Sequence, residues 1–266
     1  MKKGIATLTL SLVLGLALPL NAQAIPLGTM DSSEYPYIGM IYMGGLFGTG
    51  VLIAPDVVLT AAHVADDYTP ASSYFLTGPD GLSHEDAFAV ASSVVHPSYD
   101  PFNGTFDFGL LFLEQPVELA TYATLWASDP AELLGMPAEL VGYGGNWKRR
   151  VGTGSIDGLM DGLLFTERLA EGGDSGGGLF VEIDGQNVLA GTLSFVLFGT
   201  YAGPVSDARS FIDEYAPNAR WFGETAVDEP IAMPEPPALV LLSAGLFASL
   251  LTRRRATRED SSSRNR

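Results

Sequence analysis

Gly173-Asp174-Ser175-Gly176-Gly177 puts a hydroxyl nucleophile in the middle of a run that neither a helix nor a strand interior favours. Three glycines around one serine call for a tight, irregular turn, in which the N–H groups of Gly173 and Ser175 can converge on one point beside the hydroxyl. A serine hydroxyl is a poor nucleophile until a base takes its proton, and histidine is the side chain whose ordinary pKa suits that work near neutral pH. Three histidines are available. His84 lies in a polar stretch and reads as solvated, and His96 sits in a turn and is given no role. His63 ends Thr60-Ala61-Ala62-His63, immediately after an apolar run. A general base of this kind needs a buried carboxylate to fix its tautomer and stabilise its cation. Asp107, in Phe106-Asp107-Phe108-Gly109-Leu110-Leu111, is a carboxylate in so apolar a stretch that it needs a partner to offset its desolvation. Asp66 and Asp67 follow the histidine too closely and read as loop charges.

Outward from these segments the chain shows short apolar runs separated by Gly, Pro, Asp and Asn. They fall at residues 38–43, 50–53, 57–60, 87–95 and 110–113, then at 138–142, 178–182, 188–195 and 202–205. These are strand lengths with no competing helical periodicity, which predicts an all-β barrel or sandwich. Near the end, Ser206 or Asp207 is expected to cap a helix in which Phe211, Ile212 and Tyr215 share one face.

The three segments, in the order His, Asp, Ser, resemble the trypsin/chymotrypsin family of serine peptidases. Supporting matches are Tyr35-Pro36-Tyr37, His96-Pro97-Ser98-Tyr99 and Gly142-Tyr143-Gly144. The resemblance spans residues 25–216 and implies two six-stranded antiparallel β-barrels of the chymotrypsin type with a short C-terminal helix. It implies a catalytic triad of His63, Asp107 and Ser175, an oxyanion hole from Gly173 and Ser175, and chemistry that uses neither metal nor cofactor. Leu193-Ser194-Phe195 falls where the family pairs with its peptide or protein substrate. Leu169, six residues before the serine, takes the position where a carboxylate would select Lys or Arg, and Val196 stands where glycine is common. With Ser194, Phe195 and Val196 as substrate-binding residues, the resemblance implies cleavage after small or medium apolar residues. Val64 stands where the family usually has cysteine. Asp107 and Ser175 are 68 positions apart, so loops of the second barrel are expected to be short. A catalytically silent surface or matrix binding protein on the same fold, and an esterase using the same serine, are the competing readings.

The chain of 266 residues is 47% apolar and has no cysteine, which excludes thiol catalysis, thiolate metal centres and disulfide stapling. Neither a Gly-rich phosphate loop ahead of a helix nor an HExxH motif is present. The net charge is -17, and between residues 25 and 230 there are 6 basic against 28 acidic residues. That field repels phosphate backbones and argues against a nucleic-acid partner, while favouring solubility.

Both ends carry apolar runs. Lys2 and Lys3, the stretch 5–20 and Ala22-Gln23-Ala24 read as a secretory signal over residues 1–24. Signal peptidase would then leave Ile25 first, with its ammonium placed to pair with Asp174, as activated members of the family do. Residues 217–233 are rich in Pro, Ala and acidic residues and read as a linker. Pro234-Glu235-Pro236, an apolar run over 238–251 and Arg253-Arg254-Arg255 resemble the PEP-CTERM sorting signal handled by exosortase in Gram-negative bacteria. The expectation for residues 234–266 is therefore transient inner-membrane anchoring, followed by sorting to the cell surface or extracellular matrix.

Overall fold

The computed structural model describes residues 29–30 and 34–224. In chain order the strands are β1 (Thr29–Met30), β2 (Ile38–Met43), β3 (Leu46–Ala54), β4 (Val57–Thr60), β5 (Ser73–Leu76), β6 (Ala87–Val95), β7 (Gly109–Leu113) and β8 (Thr124–Leu125). They continue as β9 (Pro137–Gly142), β10 (Arg150–Ser155), β11 (Gly158–Met160), β12 (Leu163–Thr166), β13 (Gly178–Ile183), β14 (Gln186–Val196), β15 (Thr200–Pro204) and β16 (Arg220–Trp221). Strands β2 to β7 close into a six-stranded antiparallel barrel in the order β2-β3-β4-β7-β6-β5. The others form a second sheet along the path β1-β10-β9-β13-β14-β15-β12-β11, with β8 paired to β14 and β16 to β8. The chymotrypsin-like fold expected from the resemblance is thus present. In the second sheet the two-residue strands β8 and β16 add short parallel pairs to an otherwise antiparallel pattern.

Register explains why the site forms where it does. Thr60, the last residue of β4, pairs with Gly109, the first of β7. The segment leaving β4 toward His63 and the segment entering β7 from Asp107 therefore start side by side. Gly178, the first residue of β13, pairs with Val141 of β9 on one flank and Thr192 of β14 on the other. The turn that carries Ser175 into β13 consequently sits between Gly142-Tyr143-Gly144 and Leu193-Ser194. Connections in the second sheet are of mixed length: those over 126–136 and 167–177 run to 11 residues each, whereas two hairpins are tight. Asp161-Gly162 and Asp184-Gly185 turn tight hairpins with positive φ at both residues, the conformation that matches strand twist.

Two boundaries differ from the sequence expectation. A 3₁₀ turn at Val205–Ala208 precedes the helix Arg209–Tyr215, so neither Ser206 nor Asp207 caps it; Phe211 and Ile212 are buried, whereas Tyr215 is exposed. The chain also stays packed beyond residue 216. Trp221 is buried, its indole N–H donates to Asp213 at 2.7 Å, and β16 pairs with β8, because burying so large an aromatic surface outweighs the polar character of its neighbours. Among the described residues no helix is long and apolar enough to cross a membrane. The expected signal peptide, Ile25 and the C-terminal sorting segment lie outside the described residues.

Candidate active site

His63 rides on a one-turn helix, Ala62–Ala65, that begins as soon as β4 ends. Gly109 lets β7 approach this turn, since a Cβ there would run into Ala65. Asp107 precedes β7 and is buried. Its Oδ1 accepts the His63 backbone N–H at 3.0 Å and its Oδ2 lies 2.8 Å from His63 Nδ1. Oδ2 also accepts the Ser194 hydroxyl at 2.5 Å. Three donors converge on one carboxylate, which fixes the imidazole orientation and leaves Nε2 as the nitrogen available to a nucleophile. The side chain of His63 is 38% exposed while that of Asp107 is 3% exposed, so the ring is open to solvent and the acid is not.

Ser175 and His63 line one cavity of about 150 Å³, whose remaining walls are mostly apolar: Ile41, Met43, Leu46, Phe47 and Val64, with Asp67. Val64, in place of the expected cysteine, lays its methyl groups over Gly48, where a Cβ would lie 2.9 Å away. Apolar packing thereby joins the segments on either side of the histidine.

The nucleophile turn is held by its carbonyls. Gly172 C=O accepts from Gly145 N–H at 3.2 Å, Gly173 C=O from the Thr49 hydroxyl at 3.0 Å, Asp174 C=O from Gly177 N–H at 2.8 Å and Ser175 C=O from Thr49 N–H at 2.8 Å. In a trans peptide the C=O and the following N–H point in opposite directions. Fixing Gly172 C=O therefore aims Gly173 N–H away from the donor Gly145, and fixing Asp174 C=O aims Ser175 N–H away from the donor Gly177. Gly173 N–H and Ser175 N–H are the two predicted oxyanion donors. Glycine is required at two points of this turn. Gly173 has φ +98, and at Gly176, with φ +80, a Cβ would collide with Thr60 Oγ1 and the Thr49 carbonyl.

Asp174 is fully buried against this turn. Its carboxylate accepts Gly144 N–H at 2.6 Å and Glu171 N–H at 2.9 Å, and a Cβ at Gly142 or Gly144 would strike it, which accounts for both glycines of Gly142-Tyr143-Gly144. Burial pushes its pKa up to about 6; those two N–H groups and the Arg150 charge oppose the rise, and the Glu171 charge adds to it. Its predicted partner Ile25 lies outside the described residues.

Of the predicted substrate-binding residues, Leu169 is fully buried, with its methyls against Gly154 and its N–H bonded to Thr200 Oγ1 at 2.9 Å. Ser194 is buried through its bond to Asp107, whereas Phe195 and Val196 stay partly exposed. Two roles escape sequence reading. Ser194 holds Asp107 as well as lying in the strand predicted to pair with substrate, and Thr49 bonds the turn that carries Ser175; a lone Thr or Ser in a strand gives no sign of its partner. His96, given no role, stacks on Phe106 at 4.8 Å and meets Phe211 edge-on at 5.0 Å; its Nδ1 accepts Ser98 N–H, and burial lowers its pKa.

The trypsin family profile matches residues 28–209. Serine proteinase stubble of Drosophila melanogaster is 31% identical over 103 residues, 36% of this chain and 13% of that protein, so the chain spans a small part of that relative. Among solved structures, the VesB protease of Vibrio cholerae matches with a TM-score of 0.63 at 22% identity, over 72% of this chain and 67% of that one. Human heparin binding protein matches with a TM-score of 0.60 at 21% identity, over 72% and 96% respectively. With His63, Asp107 and Ser175 standing on the strand ends described above, the chain belongs to the trypsin family.

Proposed function

We propose that this protein is a serine endopeptidase, and the observation that carries the reading is the coexistence of an oriented His63–Asp107 pair with a nucleophile turn whose four carbonyls are all engaged. Ser175 attacks the acyl carbon of a peptide or protein while His63 Nε2 takes its proton. Gly173 N–H and Ser175 N–H receive the developing oxyanion, and such donors are each worth about 3 to 4 kcal/mol of barrier. His63 then passes the proton to the leaving amine, and a water molecule repeats the sequence on the acyl-enzyme. A fluorophosphonate probe tests the reading: attachment at Ser175 together with casein hydrolysis is expected. Folded protein that takes no label would instead be a binding protein, and label without casein cleavage, alongside turnover of short acyl esters, would make it an esterase.

The substrate backbone pairs with residues 194–196. Leu169 supplies no carboxylate for Lys or Arg, and Val196 narrows the site, which supports cleavage after small or medium apolar residues. The ligand named for the heparin binding protein does not carry over, because a chain with 31 acidic and 14 basic residues repels a polyanion. The termini support export by signal peptidase cleavage after Ala24, pairing of the new Ile25 ammonium with Asp174, and exosortase handling of residues 234–266 at the inner membrane of a Gram-negative cell. Cell fractionation with and without residues 234–266 tests the last step: the shortened protein should leave the membrane fraction and keep its activity.

A further inference from the structure

Thr49 stands on β3, in the other barrel from Ser175, with no exposed surface. All its polar groups are engaged, and three of the four bonds reach connections between strands of the second sheet. Its N–H donates to Ser175 C=O at 2.8 Å and its carbonyl accepts the Thr60 hydroxyl at 2.8 Å. Its own hydroxyl accepts Tyr143 N–H and donates to Gly173 C=O, each at 3.0 Å. The direction of the hydroxyl proton is settled by its partners: a backbone N–H can only donate and a carbonyl only accept.

The Gly173 carbonyl belongs to the peptide that joins Gly173 to Asp174. That peptide lies between the two peptides that carry the oxyanion donors. Its far side, Asp174 N–H, is held by Glu171 C=O at 3.2 Å. Gly173 has no side chain to restrict its torsions, so its peptides rotate more readily than those of any other residue. Gly173 N–H belongs to the preceding peptide, which Gly172 C=O aims; a clamp on the Gly173 carbonyl limits the Gly173 torsions that link the two peptides. Tyr143, bonded to the same hydroxyl, precedes Gly144, which donates to the Asp174 carboxylate, and Gly145, which holds Gly172 C=O.

Resting on the peptidase reading, we propose that the Thr49 hydroxyl is a positioning group for the oxyanion hole: it bridges Tyr143 N–H to Gly173 C=O and fixes the Gly173–Asp174 peptide, so that the Gly173 torsions keep the neighbouring Gly173 N–H turned toward the substrate oxygen. The role acts through Gly173; Thr49 does not touch the substrate.

Thr49→Val keeps the shape and removes the hydroxyl, whereas Thr49→Ser keeps the hydroxyl. Loss of one direct oxyanion donor lowers kcat about 100- to 1000-fold, so misdirecting it in Thr49→Val should lower kcat about 10- to 100-fold with KM within about twofold. Affinity for a peptide boronate, which places a tetrahedral oxygen in the hole, should fall by the same factor. The acid limb of the pH–rate profile, which reports His63, should not move, and Thr49→Ser should stay within about threefold of the parent. Full kcat in folded Thr49→Val, or equal losses in Val and Ser variants, would overturn the proposal. If the Val variant does not fold, Thr49→Ala set against Thr49→Ser reads the same hydroxyl, and equal kcat for the two would overturn it. A parent protein that neither cleaves peptide nor takes a fluorophosphonate sinks the peptidase reading instead. The bridge is then judged by hydrogen exchange at Tyr143 and Asp174, which must accelerate in Val and not in Ser.

Discussion

The two halves of the site are built by different means. The histidine–aspartate half uses side chains placed by the ends of a closed barrel: β4 and β7 pair at Thr60 and Gly109, and the chain beyond each runs straight to His63 and Asp107. The nucleophile half uses backbone N–H groups, and these are hard to aim. It requires positive φ at Gly145, Gly173 and Gly176, close approaches at Gly142, Gly144 and Gly177, and a hydrogen-bond donor for each carbonyl in turn. Orienting a side chain takes one buried hydrogen bond, whereas orienting a peptide plane takes control of its neighbours as well.

The largest effect would come from treating the halves as separable. Ser175→Ala or His63→Ala should each lower kcat by about 10⁵- to 10⁶-fold, and the double variant should cost little more, because the pair acts as one unit. Additive losses in kcat would break the description of two halves serving one reaction.

The next test sharpens the contrast within the second sheet. Gly176→Ala adds left-handed strain and a collision with the Thr49 carbonyl, and should cost more than about 4 kcal/mol of unfolding free energy or prevent folding. Gly162 has φ +83 with open space around its Cβ position, so Gly162→Ala isolates the backbone term, about 1 to 2 kcal/mol. Similar chemical denaturation midpoints for the two variants would show that close approach to the first barrel is not what makes Gly176 necessary.

Sequence reading and structure agree most where chemistry constrains residue type. The glycines around Ser175, the acid between two phenylalanines and the apolar runs of strand length all report local requirements; the all-β class follows from them, while the two barrels and the predicted triad positions come from the family resemblance. What stayed hidden depends on partners distant in sequence. β10 spans Arg150–Ser155 with two glycines and little apolar character, and it is a strand because β1 and β9 pair with it and Gly154 lies over Leu169. Ser194 and Thr49 read as ordinary strand residues; their partners lie 87 and 124 positions away. The extent of packing past residue 216 turned on Trp221, whose burial no local composition announces.

A third prediction follows from Asp174. A carboxyl raised from 3.8 to about 6 in the folded protein favours folding below pH 4, and that advantage is lost as pH climbs through about 6. An ammonium at Ile25 would reverse this by lowering the folded pKa. A form with Met before Ile25 should therefore lose stability relative to the authentic form as pH rises from 4 to 7, by about 3 kcal/mol if the buried pair is intact in the latter. Parallel stability curves, each protein confirmed by N-terminal sequencing, would mean that the N–H groups of Gly144 and Glu171 satisfy Asp174 by themselves.

The smallest expected effect probes whether the histidine–aspartate half is as conformationally ordinary as the contrast requires. Phe106, just before Asp107, is the exception there: it has φ +52, and Phe108 N–H folds back to its carbonyl at 2.7 Å. A left-handed conformation costs a non-glycine residue about 1 to 2 kcal/mol. The residue is held in place by stacking on His96 at 9° between ring planes, an interaction worth about 0.5 to 1.5 kcal/mol. Phe106→Gly removes both terms and adds unfolded-chain entropy of up to about 1 kcal/mol. These contributions nearly cancel, so stability should shift by less than about 1 kcal/mol and kcat by less than about threefold. The Asp107 carboxylate should be unaffected because its three donors, two from His63 and one from Ser194, do not involve Phe106. A large fall in kcat with stability unchanged would show that the backbone turn at Phe106 aims Asp107, and the two halves of the site would then rest on the same device.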